Sequence, residues 1–201
     1  MIFAFMGRRT FYTLLTLGSL LLSIACETPV ATRELPSLTF VHLRPFKLDV
    51  ASIEIVNQFK SPMTPPNIEH RLPTPPATAL IRWARDRLKA VGDSNKLKIF
   101  IEEASATETP LNLDKSLKGH LTKQQSHAYS ISLRATLLLT NAHGVGLASA
   151  KATATRSTTI REDLSINERE RVWFNLIDRL MSDFNQQIEV SLQQHLGNWL
   201  H

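Results

Sequence analysis

The clearest pattern in the chain is a strict alternation between Tyr129 and Leu139. Tyr129, Ile131, Leu133, Ala135, Leu137 and Leu139 fall on one side, and Ser130, Ser132, Arg134 and Thr136 on the other. A period of two held this long predicts a strand with one face buried and one face wet, the signature of an antiparallel sheet. Asn141–Gly146 follows as a turn cluster, and Leu147–Ile160 returns as the partner strand. Ala148, Ala150, Ala152 and Ala154 give that partner one face of small residues, which lets a helix approach closely.

The period then changes. Trp173, Leu176, Ile177, Leu180, Met181, Phe184 and Ile188 form a helical stripe that drifts through Leu192 and Leu196 to a stop at Gly197. Ser165 with Glu168 three residues on is a capping box at its start. About 30 residues at 1.5 Å each make a helix of roughly 45 Å, long enough to cross a sheet diagonally. The drift predicts that the last two turns, with Trp199, meet something other than the sheet.

Earlier in the chain, Ala77, Leu80, Ile81, Ala84, Leu88 and Val91 predict a shorter helix starting at Pro76 and stopping at Gly92, with Trp83 on its flank as a lid over the core edge. Lys96–Ala106 alternates as a strand. Leu38–Phe59 reads as a strand region whose alternation slips near Ala51-Ser52, predicting a bulge, with Pro45 at an edge or break. Between them Pro62, Pro65, Pro66, Pro73, Pro75 and Pro76 exclude helix and central strand over 61–76. That stretch predicts an extended, ordered surface crossover, or else a docking segment for a partner's groove. The order strand, helix, strand, strand, strand, helix gives an α+β two-layer sandwich: one mainly antiparallel four-stranded sheet with both helices on one face.

The N-terminus changes the picture. Arg8 and Arg9 precede a mostly apolar run from Phe11 to Ala25, about 15 residues and too short for a comfortable membrane span, which needs about 20. Residues 1–25 therefore read as a secretory signal, 26–37 as a short tether with Pro29 and Pro36, and 38–201 as a single domain. Leu22-Ser23-Ile24-Ala25-Cys26 looks like a lipobox, in which the cysteine thiol takes a diacylglycerol before cleavage; Ser23 stands where leucine is expected. An ordinary cut after Ser23-Ile24-Ala25 breaks the same bond and leaves Cys26 a free thiol. Arg8-Arg9 also resembles a twin-arginine export motif. An acylated Cys26 holds the protein at a membrane without a spanning helix, at about 0.8 kcal/mol per buried CH₂. This places the chain on the periplasmic side of the inner or outer membrane, with the outer slightly favoured.

Composition narrows the chemistry. Apolar content is 43% and charged content 20%, both values of a globular chain. The net charge of +5 falls to +3 once Arg8 and Arg9 are removed, and no dense basic run exists, so nucleic acid is not expected as a partner. Cys26 is the only cysteine, so no disulfide forms within the chain. No G-x-S-x-G elbow, S-x-x-K or H-E-x-x-H is present, and the seven histidines lack metal-ligand spacing, so neither a catalytic residue nor a metal nor a cofactor is expected. Glu102 and Glu103, adjacent on a strand, are expected on opposite faces. Glu69-His70-Arg71 reads as a salt-bridged structural loop.

The cysteine, the tether and the β-α-β-β-β-α order resemble small envelope lipoproteins: the auxiliary lipoproteins of ABC-type lipid transport systems and the lipopolysaccharide-assembly lipoproteins. The likeness is strongest over Ser130–Gln187, about a third of the chain, and the proline-rich stretch lies outside it. It implies a lipid-anchored accessory or binding module with no catalysis of its own, docking to an envelope protein partner through Leu192, Leu196 and Trp199 or through the proline-rich loop. The alternatives are direct binding of a lipid or glycolipid between sheet and helices, which needs an apolar cavity under Ala148–Ala154, and a hydrolase with clustered Ser, His and acidic side chains.

Overall fold

The computed structural model describes residues 35–114, 116 and 123–201. The three long alternating segments form the body of one sheet. They are β4 (Lys96–Pro110), β5 (Gln125–Thr140) and β6 (Gly146–Arg161), paired antiparallel in that order. A fourth strand, β2 (Ser52–Asn57), joins the outer side of β4 in parallel, so the sheet is mixed, with order β2-β4-β5-β6. The parallel pair follows from the intervening helix α1 (Pro76–Arg87), since a crossover rather than a hairpin joins β2 to β4.

Both helices cover the apolar face. α1 packs on β4 and β5, α2 (Ile166–Leu196) on β6 and β5, and the helices touch each other. Leu97, Ile99 and Ile101, then Leu133, Leu137 and Leu139, are fully buried beneath them. The Ser165 capping box is formed in both directions: Ser165 Oγ accepts the Glu168 N–H, and the Glu168 carboxylate accepts the Ser165 N–H at 2.9 Å. Trp83 is not a lid. It is completely buried between the helices, edge-on to Phe184 at 5.4 Å, and its Nε1 donates to Asn185 Oδ1 at 2.9 Å.

The region expected as one bulged strand is two strands in two sheets. β1 (Phe46–Leu48) pairs in parallel with β3 (Leu88–Ala90), and the chain changes sheets at the slip near Ala51. The first helix correspondingly ends at Arg87, ahead of the predicted stop, because Leu88 turns into β3 and buries there. Gly92 is required for a different reason from a helix cap. A Cβ there would stand 2.7 Å from the Asp49 carbonyl carbon and 2.8 Å from the Val50 nitrogen, where β3 runs out past β1. The chain end completes this ribbon: Asp49 N–H donates to Trp199 O at 2.9 Å, and His201 N–H to Lys47 O at 3.0 Å. The segment that follows the drifting end of the α2 stripe is thus joined to β1, with Leu200 bridged to Leu48.

Candidate functional site

Cys26 lies outside the described residues, as do the signal segment and most of the tether. The three side chains expected to dock a partner do not form a surface. Leu192 and Leu196 are fully buried, and Trp199 is half-buried against the same core. Their drift off the sheet marks continued burial in the core and not an exposed patch.

The proline-rich crossover is ordered and attached. It runs along the part of β4 that lies beyond β2: Ile68 N–H donates to Ala106 O at 2.8 Å, Glu108 N–H to Pro66 O at 2.9 Å, and Asn67 bridges to Thr107. Proline suits this place, because an edge-covering segment needs few donors of its own. Glu69 is the fastening. It is buried, and its carboxylate accepts Ser61 Oγ at 2.6 Å, Asn67 Nδ2 at 2.8 Å and the Ala106 N–H at 2.8 Å. Burial pushes its carboxyl up, but these hydrogen bonds outweigh burial and hold it below the ordinary value. The expected salt bridge belongs instead to Arg71, which pairs with Glu108 at 2.9 Å. Beside this segment lies a cleft of about 190 Å³, with Phe59, Met63, Pro75 and Ala77 in its wall. That is room for one ring-sized side chain, given that a cavity of about 150 Å³ holds benzene. It falls short of the roughly 300–1,000 Å³ of small-molecule sites.

Two bulges bring together side chains that the sequence spacing kept apart. A register shift between Ile101 and Glu103 turns both Glu102 and Glu103 to the open face, where Arg134 meets them at 3.5 and 2.9 Å. A second shift, between Gln125 and His127, sets Ser126 Oγ 2.9 Å from His127 Nδ1, while His127 Nε2 lies 4.0 Å from Glu108. Serine, histidine and carboxylate are thus neighbours, yet the arrangement suits packing better than acyl transfer. Ser126 is buried and its Oγ also lies 3.3 Å from Ile160 O. Glu108 is already engaged, accepting from the buried Tyr129 hydroxyl and from Arg71. Burial, then the hydrogen bond to Glu108, raise the Tyr129 hydroxyl far above its usual range. Glu108 is itself held below the ordinary carboxylate value, burial being outweighed by Tyr129 and Arg71. Among the described residues no group of three His, Cys, Asp or Glu could hold a metal ion.

Beneath α2 the alanine stripe is packed. Ala150, Ala152 and Ala154 are at most 4% exposed, and α2 lies on their strand. A cleft of about 390 Å³ opens elsewhere, among Leu43, Phe46, Arg87, Glu189 and Leu200. Arg87 is buried at its wall, bonded to Arg44 O and Glu189 and stacked 4.6 Å over the Phe46 ring. Desolvation lowers its guanidinium pKa, and Glu189 offsets part of that. Arg87 reads as a clasp between α1, α2 and the loop before β1.

No protein-family model matches the chain, and no curated protein does. Among solved structures it is similar to a minor lipoprotein from Acinetobacter baumannii, at 17% identity and a TM-score of 0.37, over 74% of this chain and 96% of that one. Nothing about this chain's chemistry follows from a likeness that loose.

Proposed function

We propose that this chain is a lipid-anchored module of the bacterial cell envelope that docks to a protein partner and performs no catalysis of its own. The observation that carries the proposal is the sequence from Arg8 to Cys26: a basic start, a short apolar run, and a small residue before the sole cysteine. The packed alanine stripe supports docking over lipid storage, because an acyl chain between sheet and helices would have to displace α2. The role would be accessory, in support of envelope-component transport.

Metabolic labelling with palmitate tests the anchor. The wild type is expected to take label and Cys26→Ala to take none; equal labelling would end the anchor reading. Pull-down of the acylated protein tests docking, with a co-purifying envelope protein as the expected result and empty beads as the contrary one. The hydrolase alternative has its own check at Ser126. Hydrolysis of p-nitrophenyl esters is expected at the background rate for both the wild type and Ser126→Ala. Turnover by the wild type that Ser126→Ala abolishes would establish an enzyme.

A further inference from the structure

The edges of the four-stranded sheet are treated unequally. The outer edge of β4 is covered by the proline-rich crossover. The first half of the β6 edge is covered by α2 side chains: Lys151 N–H donates to Ser191 Oγ at 3.0 Å and Thr153 N–H to Gln187 Oε1 at 3.4 Å. The helix crosses the sheet diagonally, and its last hold on this edge is the Arg156–Asp183 pair. In an antiparallel strand the outward-facing groups alternate, so the N–H groups of Thr155, Ser157 and Thr159 point the same way as those of Lys151 and Thr153. No helix side chain takes them among the described residues.

This bare stretch has the makings of a template. Thr155, Ser157 and Thr159 are exposed, and Arg156–Ile160 holds neither proline nor glycine, while threonine favours strands. An uncovered edge of this kind is what folded proteins otherwise blunt. Among the described residues it has one unpaired cation beside it. A cleft of about 240 Å³ opens beside it, lined by Arg156, Ser157, Thr158, Asn175 and Arg179 among others. Arg156 is paired with Asp183 and Arg161 with Asp163 at 3.0 Å, whereas Arg179 makes no ion pair among the described residues. The remaining edge, β2, is six residues long, and its one charged side chain, Glu54, is paired with Lys98 at 3.6 Å, so the strand offers no cation to an acidic chain. A second copy of β6 is a poor occupant of its own edge, since the strand has no acidic residue to offer Arg179.

We infer that Thr155–Arg161 receives an extended acidic segment of a partner protein as an added strand, with a carboxylate held by Arg179. The inference rests on the docking reading above and names its surface. Backbone pairing would give the affinity and the arginine cleft the preference for acidic side chains.

The test uses the full acylated chain in detergent and two fluorescein-labelled seven-residue peptides of alternating valine with glutamate or lysine. The glutamate peptide is expected to bind at least tenfold tighter than the lysine peptide and to weaken as salt rises. Arg179→Glu should weaken it at least tenfold. Ser157→Pro should do the same, because it removes an outward N–H without touching the β5–β6 ladder. Amide exchange should slow at Thr155, Ser157 and Thr159 when the peptide is bound. If Ser157→Pro fails to fold, Arg179→Glu and the exchange pattern decide. Equal binding of both peptides, an unchanged affinity in Arg179→Glu, or protection elsewhere would overturn the inference. So would a dimer of the wild type that Ser157→Pro dissolves, which would give the edge to a second copy. If neither peptide binds while an envelope protein still co-purifies, the edge assignment falls and the docking reading stands.

Discussion

Replacing Trp83 with alanine is expected to destabilise the protein by about 4 kcal/mol, within the range for emptying a large aromatic site in a core. Trp83 is fully buried and stands edge-on to Phe184, so its removal opens a cavity between the two helices that cover the sheet. It also leaves Asn185 Oδ1 without its indole donor. Trp83→Phe separates the contributions. It keeps a ring against Phe184 and should cost about 1 kcal/mol, the worth of one hydrogen bond. A double-mutant cycle with Phe184→Leu is expected to show coupling of about 1 kcal/mol, the usual excess of an aromatic pair over area burial. Chemical denaturation measures all three, and a Trp83→Ala cost below about 1 kcal/mol would remove Trp83 from the helix junction.

Glu69→Ala should cost about 3 kcal/mol and act locally first. The substitution leaves the Ala106 N–H, a buried donor, without an acceptor, and frees Ser61 and Asn67. The proline-rich crossover is expected to loosen from β4, with faster amide exchange at Ile68, Ala106 and Glu108 while β5 and β6 stay protected. Glu69→Gln should cost less, since the amide oxygen still accepts. The pH dependence follows from the direction of the shift. A carboxylate held below its ordinary value of 4.5 adds stability above that value and loses it as pH falls toward the folded value. Glu108 behaves in the same direction. Stability is therefore expected to hold steady from pH 7 to about 5 and to fall in more acid solution, with a shallower fall in Glu69→Gln. An acid limb identical in the wild type and Glu69→Gln would contradict this role.

The elements that rest on repetition are legible in the order of residues alone. The alternation from Tyr129 to Leu139, the alanine stripe of its partner, and the stripe from Trp173 to Ile188 with the Ser165 cap each sum many residues that agree, and burial demands that agreement. The α+β sandwich follows from their order. Three things were decided only in three dimensions. Where one residue breaks a period, sequence shows that something slips but not what. The slip at Ala51 proved a change of sheet, and unseen bulges at Glu102 and Ser126 moved Glu102, Glu103, Ser126 and His127 into company that strict alternation forbids. A residue off its stripe, such as Leu192 or Leu196, can face solvent or a second internal partner. Here both leucines are buried, just ahead of the point where the chain end pairs with β1. Edge protection is the third: which edge is covered, by the prolines on β4 or by Gln187 and Ser191 on β6, depends on how far a diagonal helix reaches. Local periodicity carries burial, whereas the partner of each buried or bare group is a long-range choice that the packing of the whole molecule makes.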